Sequence, residues 1–469
     1  MPSFDTGIFE RWMEKGELED RAFNNHIAKL GRVDFGRIYD ATAHDVHPPL
    51  YYWIIAAARL AVGVRRHMAA NLLVNCLCFV LSAVLLWLTM RRTVRDEKLS
   101  LLALALYSLS SAAVSVTLFM RMYELLQTEC MLFLCCAAYV IFPREDGSFG
   151  ASRWLCVAGL CVASFLGLLT QYYFLFFIAP IGLVAGILLI KRGEFAAFLW
   201  GSLAVLIGLY AAWRVFPVME LHLTVSRRAG QSRWNLFGVS PLTRLSSVGS
   251  FAVIAFRYMP ALIAIPVSAI AAVVLGKRRR AEGAALPPAG FVAILLAVVV
   301  FTFAIISLSA PYQTLRYLVA FTPAYTMLGV CLAARLLPGR RGTLVLAAVF
   351  FLGIIPGLLP FNIGTFHEDY RVDASPEYFA GDEPIIVVSS YAGYTWKNLL
   401  LYKRIPSGRR VFVTMRDQGT DLAPSIANVA AGSGAKEVIV IADEWFGPQR
   451  GLERVGFWGF FDVYRMKVE

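Results

Sequence analysis

Charge is what this sequence has least of. Asp, Glu, Lys and Arg supply only 16% of 469 residues, while 58% are hydrophobic and the mean hydropathy is +0.62. Soluble domains carry about a quarter charged residues, so the deficit excludes that class and points to a polytopic membrane protein. Cysteine is missing from the long polar segments. All eight (Cys76, Cys78, Cys130, Cys135, Cys136, Cys156, Cys161 and Cys331) lie inside apolar runs, which excludes a disulfide frame and leaves them as small buried hydrophobes. No His/Asp/Glu cluster has metal-ligand spacing, and no repeat, low-complexity tract or signal-peptide pattern is visible. No metal or cofactor is therefore expected. The net charge of +12 sits in short Lys/Arg clusters between apolar runs, a pattern of membrane orientation and not of nucleic-acid binding.

Ten apolar runs, at about 69–90, 99–118, 122–142, 154–170, 172–190, 195–213, 251–275, 291–309, 317–336 and 343–361, are long enough to be membrane spans. Alternate connectors are basic: Arg91, Arg92, Arg95 and Lys98; Arg144 and Arg153; Lys191 and Arg192; Lys277 to Arg280; Arg340 and Arg341. The positive-inside rule puts these in the cytoplasm, and parity then puts residues 1–68, the loop 214–250 and the tail 362–469 outside. The run 50–64 is too short to span and is predicted to lie along the outer interface, with Tyr51, Tyr52 and Trp53 at headgroup level. An external first segment needs something to export it, so either a spanning helix upstream is missing or the chain start is set too late. The domains expected are a first outer loop with its juxtamembrane helix (1–68), a transmembrane domain (69–361) and an extracytoplasmic α/β domain (362–469). In that tail Ile385 to Val388, Val411 to Thr414 and Val438 to Ile441 read as strands, and segments near Trp396 to Leu401 and Leu422 to Ala431 read as helices.

With this topology the polar residues at span ends collect on the outer side. They are Asp5, His44, Asp45 and His47; Arg121 and Tyr123; Gln171, Tyr172 and Tyr173; Arg316 and Tyr317; and the arginines of 214–250, with Arg257 beyond. A carboxylate that takes a proton from an attacking hydroxyl, beside Arg and His that neutralise a departing phosphate, suits group transfer from an anionic lipid carrier. Each residue also has a plainer reading: arginines at helix ends snorkel, tyrosines at that depth form the interfacial belt, and Glu124, Gln127 and Glu129 pair within the bundle.

The sequence resembles the GT-C membrane glycosyltransferases, in particular the bacterial branch of protein O-mannosyltransferases, lipid A aminoarabinose transferases and RgtA/B/C/D-like enzymes. Asp-Val-His-Pro-Pro-Leu-Tyr-Tyr at 45–52 looks like that branch's signature. Arg121-Met122-Tyr123, Thr170-Gln171-Tyr172-Tyr173, and Arg316-Tyr317 with Pro323 are similar to three later elements in the same order. The resemblance implies an all-α polytopic fold with a small extracytoplasmic domain. It implies an inverting transferase that moves a sugar from a polyprenyl-phosphate donor to a glycan, lipid or protein acceptor outside the cytoplasm. It makes Asp5 the catalytic carboxylate, with Asp45 in reserve, and gives Asp45, His47, Arg121, Tyr123, Gln171, Tyr172 and Arg316 to the substrates. It also places the family's first transmembrane helix just before Asp5. Three departures bear on the acceptor and the phosphate contacts: Thr6 stands for a second acid, Leu118 and Phe119 for a Gln-Glu pair, and Gln171 for a histidine. A rival from another class, a transporter or flippase for lipid-linked sugars, would show repeats, broken helices and ionisable groups at the bilayer midplane. A scaffold that presents the tail explains the tail but not the polar cluster.

Overall fold

The structure is a computed structural model. It describes residues 33–44, 47–63, 67–143, 147–150, 152–224, 227–274, 286–310, 315–337, 339–358, 381–389, 410–416, 421–443, 446, 449, 451–458 and 461–468. Two compact units emerge, one over Asp34–Thr365 and one over Phe366–Glu469 with Pro2–Val33.

The first unit is helical. It opens with α1 (Phe35–His44) and α2 (Leu50–Val62), and α2 at 13 residues is about 20 Å long, short of the ~30 Å hydrocarbon core. There follow α3 (His67–Thr93), α4 (Glu97–Ser108), α5 (Ser111–Leu118), α6 (Tyr123–Ile141), α7 (Ser152–Thr170), α8 (Phe174–Lys191) and α9 (Phe195–Val215). The series closes with α10 (Met219–Thr224), α11 (Arg227–Phe237), α12 (Pro241–Tyr258), α13 (Ala264–Val274), α14 (Ala289–Ser309), α15 (Thr322–Leu336) and α16 (Arg340–Leu358). Among the described residues seven stretches are long and apolar enough to cross a membrane, and two bent pairs raise the number to nine. The helix α16 occupies most of the tenth predicted run. Large apolar side chains such as Leu155, Leu183 and Val273 stand exposed on these helices, as lipid-facing positions do. At the centre lie α6 and the stretch Val319–Leu336, with 89% and 83% of their apolar windows buried, against 22% to 44% for the other five.

Two predicted spans are not straight. The run 99–118 bends by 52° between α4 and α5, where the Ser110 side chain accepts from Ala113 N and starts a new helix. The predicted run 251–275 begins earlier and turns by 103° between Tyr258 and Pro260. Ser240 caps α12 with Pro241 at its first position, and Pro260 has no N–H to continue the ladder. The connector 214–250, expected as a loop, carries α10, α11 and the start of α12.

The basic connectors meet at one end of the bundle. Arg95 Nη2 donates to Pro143 O at 2.8 Å, Arg192 Nη1 to Ile141 O at 2.6 Å and Arg335 Nη1 to Pro287 O at 2.5 Å, and Arg153 pairs with Glu194. Of these acceptors Ile141 O ends α6, where a guanidinium satisfies an orphan carbonyl and suits the helix dipole.

The second unit holds β1 (Ile385–Ser389), β2 (Val411–Met415), α17 (Leu422–Gly432), β3 (Glu437–Asp443), β4 (Glu453–Trp458) and β5 (Phe461–Lys467). Strand order is β2-β1-β3-β5-β4, with β2, β1 and β3 parallel and β5 antiparallel to both β3 and β4. Ile386, Val388, Phe412, Val438 and Val440 on one face of the sheet pack against Leu422, Ile426 and Ala430 of α17. The three predicted strands and the α17 helix are present. The β4–β5 hairpin was not predicted, because its aromatic residues alternate with Arg, Asp and Lys and form no continuous apolar run. The segment near Trp396 to Leu401 lies outside the described residues.

Candidate active site

Arg121 and Arg316 each sit in a short irregular stretch just before a buried span. Arg121 lies between α5 and α6, and Arg316 in a single 3-10 turn (Leu315–Tyr317) ahead of the stretch that leads into α15. Far apart in sequence, the two guanidinium groups are close enough to repel one another, and Tyr123 is within electrostatic reach of Arg316. Aromatic rings fill the space about them. Arg316 Nη2 donates to Tyr317 Oη at 3.0 Å with its guanidinium 4.9 Å from that ring, and Tyr317 meets Tyr173 edge-on at 5.7 Å. On the other side Phe119 stacks on Tyr123 at 5.9 Å, and Arg121 lies 5.7 Å from the Phe119 ring. Like charges held together in a partly buried, aromatic surround are stabilised by an anion that reaches both.

Below Arg121 runs a buried polar layer. Tyr51, 2% exposed, has one hydroxyl hydrogen to share between Asn71 Oδ1 (3.2 Å) and Asn75 Oδ1 (3.3 Å), and Asn75 Nδ2 donates to Thr117 O (3.0 Å) and Phe119 O (3.1 Å). Burial, then the neighbouring Tyr52, push the Tyr51 phenol well above its ordinary pKa, so it stays a donor. Glu124, one turn beyond Arg121, is fully buried. Its Oε1 accepts from Gln127 Nε2 at 2.9 Å, its Oε2 lies 3.3 Å from Thr117 Oγ1, and Gln127 Nε2 also reaches Tyr107 Oη at 2.5 Å.

A second cluster lies at the turn after α7. Gln171 Oε1 accepts from Tyr172 N at 2.9 Å, and Tyr172 Oη is 2.8 Å from His222 Nδ1. His222 Nε2 is 3.0 Å from Ala43 O. A carbonyl only accepts, so Nε2 carries a proton and donates to it. The imidazole thus ties α10 and the 171–173 turn to the end of α1, immediately before the His44–His47 segment. His47 itself is buried in the turn ahead of α2, and Asp5 and Asp45 lie outside the described residues.

Of the residues predicted from sequence, Arg121, Tyr123 and Arg316 are therefore within electrostatic reach of one another, whereas Tyr172 turns to His222 and Gln171 to the Tyr172 backbone, and it is Tyr173 that joins the arginine cluster. Asn75 and His222 were missed. The signal for Asn75 was an amide in an otherwise apolar run, and for His222 an imidazole in a connector read as a loop. Among the described residues no group of three His, Cys, Asp or Glu stands together as metal ligands.

The arginine and tyrosine cluster thus lies at one end of a polytopic helical bundle. Residues 46–217, from just ahead of α2 through α9, match the family model described as dolichyl-phosphate-mannose-protein mannosyltransferase. No curated protein matches the chain. Among solved structures the chain is similar to ArnT from Cupriavidus metallidurans bound to undecaprenyl phosphate, at 15% identity over 89% of this chain and 87% of that one, with a TM-score of 0.49. The apo form of that protein gives 13% identity, the same coverage and the same TM-score. An oligosaccharyltransferase from Archaeoglobus fulgidus, in complex with Zn and sulfate, is similar at 11% identity over 84% of this chain and 59% of that one, with a TM-score of 0.40.

Proposed function

We propose that this protein is an inverting glycosyltransferase that moves a sugar from a polyprenyl-phosphate donor to an acceptor hydroxyl on the outer face of the membrane. The observation that carries this reading is that Arg121 and Arg316, at the starts of two buried spans, lie within electrostatic reach of one another, where a lipid phosphate entering from the bilayer serves both. The family match over 46–217 supports it, since that family's description names a polyprenyl-type phosphate sugar. In this mechanism the acceptor oxygen attacks the anomeric carbon, its proton passes to Asp5, and the bond from that carbon to the phosphate oxygen breaks. The released lipid phosphate, one negative charge richer, is held by Arg121, Arg316 and His47. Tyr123, Gln171 and Tyr172 shape the rest of the donor and acceptor site. Asp45 replaces Asp5 as base if Asp5 proves dispensable.

The bent pair α12–α13 and the buried Glu129 favour a second reading, a flippase for the same lipid-linked sugar. One experiment separates the two. In cells that lack the protein, carrying either the full-length wild type or Asp5→Asn, lipid mass spectrometry follows the polyprenyl-phosphate sugar before and after impermeant periodate. For a transferase the lipid accumulates in the null and Asp5→Asn cells and is open to external oxidation. Accumulation protected from periodate supports the flippase, and normal lipids with Asp5→Asn remove Asp5 as base.

A further inference from the structure

Between α5 and α6 the backbone of residues 119–122 leaves helical geometry, and it is this irregular link that carries Arg121. Its own hydrogen bonds are few: Phe119 N closes the last turn of α5 on Ser115 O and Val116 O, and Arg121 N turns back to Phe119 O. A half-buried link of this kind is fixed by donors from elsewhere to its carbonyls. Asn75 supplies them from α3. Thr117 O and Phe119 O only accept, so the amide nitrogen of Asn75 must face them, and both its hydrogens are used; its oxygen then faces Tyr51 Oη. Phe119 O is thus held from two directions, by Asn75 Nδ2 and by Arg121 N. Asn75 is fully buried, and the hydroxyl that orients it comes from the first turn of α2, two residues after the Pro48-Pro49 pair. A continuous path of hydrogen bonds therefore runs from Tyr51 in α2 to the backbone beside Arg121.

We propose that Asn75, oriented by Tyr51, is a positioning residue that sets the Arg121 guanidinium for the phosphate of the lipid donor, and that α2 is the element from which this setting is imposed. The inference rests on the reading of Arg121 as a phosphate contact. Asn75 touches no substrate; it acts through the carbonyl of Phe119.

The test uses the detergent-solubilised full-length chain and two probes, farnesyl phosphate and farnesol, which differ in the phosphate alone. Asn75→Leu and Asn75→Asp, which lacks the two donors but keeps an acceptor for Tyr51, are expected to weaken farnesyl phosphate about tenfold and leave farnesol unchanged. Tyr51→Phe, which leaves the amide in place but unoriented, is expected to weaken the phosphate probe about threefold. In an Arg121→Ala background the same changes have no further effect, because the group through which they act is gone. Loss of affinity for both probes alike, or losses that add in full to that of Arg121→Ala, would show a merely structural role and overturn the inference. So would wild-type affinity in the Asn75 variants when Arg121→Ala has lost the phosphate probe; the reading of Arg121 then stands. If Arg121→Ala itself binds farnesyl phosphate as the wild type does, the phosphate-binding reading falls and the positioning role falls with it. Should Asn75→Leu fail to fold, Tyr51→Phe decides, since it removes only one hydroxyl.

Discussion

Glu124 and Glu129 are two buried acids on one helix, and their surroundings give them different work. Glu124 accepts from Gln127 Nε2, and its loss would strand one N–H of a buried amide whose other hydrogen goes to Tyr107. Glu129 Oε1 accepts from Thr170 Oγ1 at 2.8 Å, but that hydroxyl also lies 3.1 Å from Leu166 O and has somewhere else to go. Glu129→Leu is therefore expected to be neutral or stabilising, and Glu124→Leu to cost about 2 kcal/mol for the stranded donor. Thermal midpoints of the two variants in the same detergent check this. A Glu129→Leu chain that is stable but inactive would favour the flippase, in which a midplane acid has a functional role. At this scale the sequence was legible in residue type only. It showed acids and amides within apolar runs, but which of them share a hydrogen bond depends on the rotation of one helix against another, and no spacing along a single chain encodes that.

Among the elements, the sharpest departure from the sequence reading is the 103° turn between α12 and α13. Its 3-10 turn at Pro260–Leu262 packs on α15 at Gly329, where an added Cβ would come within 2.2 Å of Ala261 O. Backbone on backbone leaves no room to adjust. Gly329→Ala is expected to destabilise by about 1–3 kcal/mol through the displaced turn. The control is Gly182 in α8, where an added Cβ meets nothing within 4 Å. Gly182→Ala is expected to gain up to about 1 kcal/mol from helix propensity alone. Equal effects in a thermal denaturation series would mean that close packing is not what holds the bend. Pro260 was visible in the sequence as a breaker, but a proline also permits a mild kink within one span. The close approach at Gly329, distant in sequence, is what goes with a full turn.

For the molecule as a whole, the meeting of Arg121 and Arg316 also bears on the membrane topology. Both stand at the starts of spans, so an even number of crossings must separate them. The five straight stretches between them (α6, α7, α8, α9 and α14) are odd in number, and the bent pair α12–α13 must supply the sixth crossing and is no re-entrant loop. The site residues and α1, α2, α10 and α11 then share one end of the bundle, and Arg95, Arg192 and Arg335 lie at the other. The outer site proposed above requires, by the positive-inside rule, that the site side face outward. In a chain whose own cysteines are replaced, an impermeant maleimide on intact cells is expected to label Ser240→Cys and not Ser148→Cys, both exposed positions. The opposite pattern would put the arginine cluster in the cytoplasm and remove the proposed outer site.

The sequence by itself determined the solvent this protein folds in, nearly all of its spans, the connectors in which its cations accumulate and three of the five strands of its tail. These follow from local hydrophobicity, length and charge, which each segment carries whatever its neighbours do. Only the tertiary structure decided that Arg121 meets Arg316, that Tyr173 and not Tyr172 stands with them, that His222 holds the end of α1, and that Asn75 secures the link beneath Arg121. Each of these depends on a contact between residues dozens to hundreds of positions apart. Such contacts are set by how whole helices rotate and bend to bury one another's surfaces, and a linear pattern of residue types does not fix that.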